Sequence, residues 1–264
     1  MGEIVFVGLG LYDEAGISLR GLEETRTADS VFIELYTSLM PNLSIKRLEA
    51  TCDKSIIEVT RKELEDENGK VVLTAAKNGK AVILVPGDPL IATTHVALRI
   101  DAAKQGIKTR IVHGASIVSA VIGLSGLHNY KFGKTVTIPF PETHSTTPYN
   151  VIAKNKAAGL HTLCLLDIQA SQKRYLSTNE ALQMLLKTEK KEGKGVATPR
   201  TLVVGVARAG SRSPTVKAGF IGEMLSFNFG NPPHSLIFPG ELHFMEAEAL
   251  IVLAGAPEEL RRGV

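Results

Sequence analysis

The 264-residue sequence predicts an α/β protein made of two α/β domains. The apolar, β-branched run Ala81-Val82-Ile83-Leu84-Val85 ends abruptly in Pro86-Gly87-Asp88-Pro89-Leu90, and a helical pattern follows. Such a run reads as a strand buried on both faces that turns sharply into a helix. Between residues 4 and 112, strand and helix patterns alternate, which is the order of a parallel sheet covered by helices. After Val112 the chain changes character, with prolines scattered among threonines over 133–150. An N-terminal α/β domain over 1–112 and a C-terminal α/β domain over 113–264 are therefore expected.

The elements follow in order. Ile4-Val5-Phe6-Val7 is a strand that ends in Gly8-Leu9-Gly10. A dinucleotide fingerprint would need a third glycine where Asp13 stands, so that motif is not satisfied. Ser18 suits the N-cap of a helix over 19–28, with Leu19, Leu22 and Ala28 as its apolar face. Residues 30–34 form a second strand, and Tyr36-Thr37-Ser38 is the loop at its carboxyl end. A short helix over 45–48 and a strand over 56–59 come next. The helical segment 61–76 breaks at Asn68-Gly69. A helix over 94–104 carries Val96, Leu98, Ile100 and Ala103, and Gly106 closes it. A strand over 108–112 precedes a small-residue helix over 118–126.

In the second half, 133–150 reads as strand plus loop and 160–168 as a buried strand. Residues 179–191 form an amphipathic helix on Ala181, Leu182, Leu185 and Leu186. A strand over 201–207 ends in Arg208-Ala209-Gly210-Ser211. Pro232-Pro233-His234 opens a last strand, and 246–253 reads equally as strand or helix.

Composition removes several function classes. Thirty Lys and Arg against 27 Asp and Glu leave a net charge of only +3, and Trp is absent. A nucleic-acid binder would carry a basic stripe and aromatic stacking platforms, so no nucleic-acid partner is expected. No apolar run is long enough to span a membrane. The opening residues read as strand and not as a signal peptide, so a cytoplasmic protein is expected. Cys52 and Cys164 form no Cys-x-x-Cys pair and read as buried reduced thiols. The seven histidines include no His-Glu-x-x-His, and no metal is expected. Gly123-Leu124-Ser125-Gly126-Leu127 is not a nucleophile elbow, and no P-loop is present.

Two features stay open on residues alone. In Pro86-Gly87-Asp88-Pro89-Leu90, Gly87 admits close approach of backbone and ligand, and the prolines mount Asp88 rigidly at the carboxyl end of a strand. The same residue types also make an ordinary tight turn. His234 is either a structural polar cap or a pocket wall.

Several stretches resemble the tetrapyrrole methylase family. They are Val7-Gly8-Leu9-Gly10, Ser18-Leu19-Arg20-Gly21-Leu22, Ala28-Asp29-Ser30-Val31, Gly87-Asp88-Pro89, and 106–117 with the small-residue helix behind it. The chain is similar to the diphthine synthase branch of that family nearly end to end. The carrying residues are Gly8-Leu9-Gly10-Leu11-Tyr12-Asp13-Glu14, Tyr36-Thr37-Ser38-Leu39, Ala92-Thr93-Thr94-His95, Gly159-Leu160-His161-Thr162-Leu163, Ala207-Arg208-Ala209-Gly210-Ser211 and Pro232-Pro233-His234. Tetrapyrrole enzymes tend to carry Pro-Gly-Asp after Gly-x-Gly, whereas this chain has Leu11-Tyr12-Asp13, which weighs against a porphyrinoid substrate. The loop over 143–147 is short and polar for the branch.

The resemblance implies an S-adenosyl-L-methionine-dependent methyltransferase of tetrapyrrole methylase-like fold, with the cofactor cleft between two α/β domains. It implies cofactor contacts from Leu11, Asp88, Ile91, Ser116, Ile117, Leu166, Ala209 and His234, the last two through backbone groups. It implies successive methylation of the amino group of the aminocarboxypropyl-histidine on translation elongation factor 2 in diphthamide biosynthesis. It also implies a homodimer; apolar stretches of the second domain, such as Leu236-Ile237-Phe238, are candidates for its interface, whose surface one sequence does not choose. A precorrin- or uroporphyrinogen-type methyltransferase is the alternative enzyme, and a cofactor-binding regulator without turnover the non-enzymatic one. Methyl transfer is an in-line displacement in which the cofactor supplies the leaving group and the protein positions and desolvates, so no residue is singled out as catalytic.

Overall fold

A computed structural model describes residues 2–262. The chain divides into two compact units, Met1–Ile117 with Ala170–Gln172, and Val118–Gln169 with Lys173–Val264.

The first unit is the parallel sheet that the strand–helix alternation predicts. Its strands are β1 (Glu3–Gly8), β2 (Ser30–Ile33), β3 (Ile56–Glu58), β4 (Lys80–Val85) and β5 (Lys108–Val112), in the order β3-β2-β4-β1-β5. All neighbours run parallel, with Val5 opposite Val82 and Val31 opposite Val82 on the other side. Between them come α1 (Leu19–Arg26), α2 (Ile45–Cys52), α3 (Lys70–Lys77) and α4 (Val96–Lys104). Because side chains alternate along a strand, each strand feeds two cores. Ile4, Phe6, Ala81, Ile83 and Val85 pack with Val72, Ala76, Leu98 and Ala102 of α3 and α4. Val5, Val7, Val82 and Leu84 pack on the opposite face with Ile33 and with Leu48 of α2.

Local chemistry sets the helix ends. The Ser18 Oγ accepts from the Gly21 N–H, as expected of an N-cap. Gly69 is left-handed, at φ +64°, where 61–76 breaks into a π-helical turn and α3. Two expected apolar faces are corrected. Leu19 is 88% exposed, and α1 turns Gly21 and Thr25 inward instead. In α4, Val96 and Ile100 are exposed while Leu98 and Ala102 are buried. Apolar residues lie on both sides of α4, so periodicity alone does not choose its inner face.

The second unit begins within α5 (Ile117–Ser125). Its elements are β6 (Val136–Ile138), α6 (Thr147–Ala157), β7 (Thr162–Leu166), β8 (Ile168–Gln169), β9 (Arg174–Tyr175), α7 (Thr178–Glu192), β10 (Leu202–Ala207), β11 (Thr215–Phe220), α8 (Ile221–Met224), β12 (His234–Phe238) and α9 (Phe244–Ala254). The main sheet has the order β11-β10-β12-β7-β6 and is mixed, with only β6 and β7 parallel. A helix starts at Thr147 where strand plus loop was expected to run to 150. Pro148 sits in its first turn, where the missing N–H has no helical partner to lose. Strand β11 and helix α8 have no counterpart in the sequence reading. The ambiguous segment near 246–253 is helix α9.

The expected role of Leu236-Ile237-Phe238 in a dimer interface is overturned. β12 is the middle strand of the sheet, and these residues are 0%, 0% and 3% exposed.

A buried carboxylate ties the second unit together. Glu246, fully buried in α9, accepts from the backbone N–H groups of His128 and His243, from Lys131 Nζ at 2.6 Å and from His161 Nε2 at 2.9 Å. His161 Nδ1 accepts from the Gly240 N–H, so the ring is neutral with its hydrogen on Nε2. Burial would raise the Glu246 carboxyl, but these donors outweigh it and hold the group at about 2. A folded-state value below the unfolded one stabilises above the unfolded pKa, and that stability is lost as pH falls through the folded one. The network therefore contributes about 3 kcal/mol at neutral pH. Glu246→Gln should lower the unfolding midpoint at pH 7, and its deficit against wild type should shrink as pH falls from 5 towards 2. Denaturant titrations across that range check it, and a deficit that does not vary with pH would contradict it.

Candidate functional site

In the first unit, the loops after β1, β4 and β5 meet at the carboxyl ends of three adjacent strands, the place where parallel α/β sheets take ligands. The contact is backbone on backbone. A Cβ on Gly8 would lie 2.6 Å from both the Gly87 carbonyl oxygen and the Gly114 nitrogen, and one on Gly114 would lie 2.5 Å from the same oxygen. Gly10 and Gly87 exchange N–H···O bonds of 3.2 and 2.6 Å, forming an isolated antiparallel bridge. Gly10 and Gly87 are left-handed, at φ +76° and +73°, which favours glycine. Gly87 differs from Gly8 and Gly114 in its surroundings, since a Cβ there would meet only the Ala115 carbonyl at 4.0 Å. Gly8 and Gly114 are glycine because backbone fills the space; over Gly87 the space is open.

Asp88 follows Gly87 and is 8% exposed. Its Oδ2 lies 2.7 Å from Nδ1 of His113, the first residue after β5, while its buried Oδ1 finds no hydrogen-bond partner among the described residues. A buried carboxylate oxygen that lacks a donor fits a ligand N–H or a positive charge. Of the expected contact residues, Leu11, Asp88, Ile91 and Ser116 lie on these three loops, with Ile91 46% exposed, and Ile117 opens helix α5 directly after the third.

A second polar cluster lies at the carboxyl end of β2. Glu34 accepts from the backbone N–H groups of Tyr36 and Thr37 and from the Thr37 hydroxyl. Burial nevertheless raises its carboxyl to about 7. His95 Nε2 is 3.6 Å from Glu34 Oε1, and burial pushes the imidazole down to about 4. Tyr36, Glu65, Thr94 and His95 line a cavity of about 160 Å³ beside this pair. Tyr36, Thr94 and His95 come from Tyr36-Thr37-Ser38-Leu39 and Ala92-Thr93-Thr94-His95, which the resemblance singles out without a role, while Glu34 and Glu65 lie outside those stretches.

In the second unit, Leu166, Ala209 and His234 gather at one end of the mixed sheet. Ala207 pairs with His234 across β10 and β12, and Ser235 pairs with Leu165 across β12 and β7. The His234 ring caps polar backbone: Nδ1 accepts from the Thr178 N–H at the start of α7, and Nε2 donates to the Gly230 carbonyl. Both ring nitrogens are thereby used, so the ring acts as the structural polar cap that the sequence left as one of two readings. Arg208, at φ +53°, fixes the neighbouring loop by donating to the carbonyls of Phe229 and Asn231 and to the Thr215 hydroxyl.

Sequence reasoning missed His113 and Arg208 as individual residues. The signal for His113 was its place at the carboxyl end of a predicted strand; Arg208 stood inside a quoted motif without a role. Among the described residues, no group of three or more His, Cys, Asp or Glu is arranged to hold a metal ion.

The profile of the Tetrapyrrole (Corrin/Porphyrin) Methylases matches residues 3–225. The chain is 47% identical to the diphthine synthase of Methanococcoides burtonii over 98% of both chains. It is 46% identical to that of Methanosarcina mazei over 99% of both. A crystal structure of a diphthine synthase superposes with a TM-score of 0.89 at 41% identity, over 99% of each chain.

Substitution separates the two kinds of glycine. Gly8→Ala should cost about 3 kcal/mol, because backbone on two other loops must move to admit a methyl group. Gly87→Ala should cost only about 1–2 kcal/mol, from the left-handed backbone. Chemical denaturation of both variants measures the difference, and a Gly8→Ala protein as stable as wild type would refute the packing argument.

Proposed function

Because this chain belongs to the tetrapyrrole methylase family, in its diphthine synthase branch, we propose that it is the methyltransferase of diphthamide biosynthesis, with S-adenosyl-L-methionine as methyl donor. The acceptor is the amino group of the aminocarboxypropyl-histidine on translation elongation factor 2, methylated in successive steps. The observation that carries this reading is the likeness to diphthine synthases over 98% of the chain, which includes both units. That end-to-end likeness favours the protein acceptor over a precorrin or uroporphyrinogen ring.

The residues fit the cofactor on a structural ground. S-adenosyl-L-methionine carries a sulfonium and an ammonium, and the unpaired, buried Asp88 Oδ1 is a site for positive charge beside the open space at Gly87. On this reading Leu11, Asp88, Ile91, Ser116 and Ile117 of the first unit, and Leu166, Ala209 and His234 of the second, contact the cofactor. When bound, the cofactor supplies an electrophilic methyl group and a neutral leaving group. The protein's part is to orient the acceptor amine and exclude water.

Elongation factor 2 isolated from cells lacking this protein should carry the aminocarboxypropyl arm without methyl groups. Adding the purified protein and S-adenosyl-L-methionine should raise its mass in steps of one methyl group. Mass spectrometry reads both, and transfer to a porphyrinogen but not to the factor would refute the proposed acceptor.

A homodimer is part of the proposal, and the outer face of α9 supports it. Phe244, Met245, Val252 and Leu253 are 53–65% exposed along one helix, and Tyr130, 80% exposed, packs on His128 beside His243. Exposed apolar side chains gathered on one helix mark an interaction surface. Light scattering should return twice the chain mass of 28.4 kDa, and Val252→Asp with Leu253→Asp should return the single-chain mass. A monomeric wild type would remove the dimer from the proposal.

A further inference from the structure

We propose that His113 is the base that deprotonates the acceptor amine, with Asp88 as its positioning residue; this rests on the reading of the chain as an amine methyltransferase. His113 stands at the carboxyl end of β5, and its Nδ1 is 2.7 Å from Asp88 Oδ2. The Asp88 side chain is 8% exposed and the His113 side chain 75% exposed. The imidazole is thus anchored on one edge and open on the other. Both ends of the contact are rigid. Asp88 sits between Gly87 and Pro89, and His113 precedes Gly114, which is locked against Gly8 and Gly87.

A carboxylate only accepts, so Nδ1 carries the hydrogen and the neutral ring presents the Nε2 lone pair outward. A carboxylate that fixes the tautomer and orientation of an imidazole base is a recurrent catalytic arrangement. The other histidines near the expected contact residues cannot serve in this way. His95 is 3% exposed, and His234 has both ring nitrogens occupied. Glu34 is fully buried.

The chemistry requires a base once per methyl group. An alkylamine at neutral pH is an ammonium, which has no lone pair for attack. One proton passes from the nitrogen to His113 Nε2 and on to water, and the freed lone pair forms the N–C bond. The electron pair of the breaking C–S bond stays on sulfur, which becomes a neutral thioether. The nitrogen is again a cation, and the next transfer needs the next deprotonation.

His113→Ala tests this. Isothermal titration measures its S-adenosyl-L-methionine affinity, and single-turnover assays measure methyl transfer to elongation factor 2 bearing the unmethylated arm, with and without free imidazole. Affinity should stay within about twofold of wild type while transfer slows by about 10²–10⁴-fold, with partial recovery on adding imidazole through the open edge of the site. Nitrogen-15 NMR of the wild-type protein should show His113 as the Nδ1–H tautomer, and Asp88→Asn should abolish that preference. Wild-type transfer rates in His113→Ala, slow transfer explained by lost cofactor affinity without imidazole recovery, or an Nε2–H tautomer would each overturn the assignment. A wild-type protein that methylates no elongation factor would overturn the amine-methyltransferase reading and the base with it. An active wild type beside an equally active His113→Ala would overturn the base alone.

Discussion

Backbone contact between glycines is the constraint on which the first unit depends. Gly8 ends β1, Gly87 and Gly114 lie two residues beyond the ends of β4 and β5, and the space a side chain would need at Gly8 or Gly114 already holds a carbonyl or an amide. This approach lets the Gly10–Gly87 bridge form and draws the loops after β1, β4 and β5 into one surface. Packed loops hold side chains more precisely than free ones, which is what a displacement reaction demands of its site. Asp88 and His113 meet because the residues beside them cannot move apart.

The buried carboxylates show how surroundings divide like groups into different roles. Glu34 and Glu246 are both fully buried, and each accepts several hydrogen bonds. Glu246 has Lys131 and His161 among its donors and is held at about 2. Glu34 receives N–H and O–H groups without a cation and rises to about 7. Burial penalises the charged form in both; at Glu246 the His243 N–H, the Lys131 ammonium and two further donors outweigh it, whereas at Glu34 burial exceeds what Thr37 and Tyr36 donate. Glu246 is therefore a stabilising anchor for the second unit. Glu34 is a group that titrates near neutrality within the first.

In the second unit, side chains are committed to holding the backbone around His234 and Ala209. The His234 ring is spent on capping Thr178 and Gly230, and Arg208 spends its guanidinium on three oxygens around the same loop. Groups committed in this way keep the main chain near Ala209 and His234 still.

By itself the sequence determined the parallel first unit, because continuous β-branched runs separated by helical segments leave a sheet no other way to bury both faces. It also determined the N-cap at Ser18, the break at Gly69 and the loops that carry Leu11, Asp88, Ile91 and Ser116 up to Ile117 at the start of α5, since local steric and capping rules act over a few residues. Tertiary structure decided what depends on long-range neighbours. Helices α4 and α9 are apolar on more than one side, so only packing chose Leu98 over Val96, and Leu250 over Val252, for the interior. The mixed order β11-β10-β12-β7-β6 put Leu236-Ile237-Phe238 in the middle of a sheet and not on a surface. The pairing of His113 with Asp88 arose in the same way. The two residues are 25 apart in the chain, and they meet because β1 lies between β4 and β5, with glycines at the three strand ends that let the loops close over it.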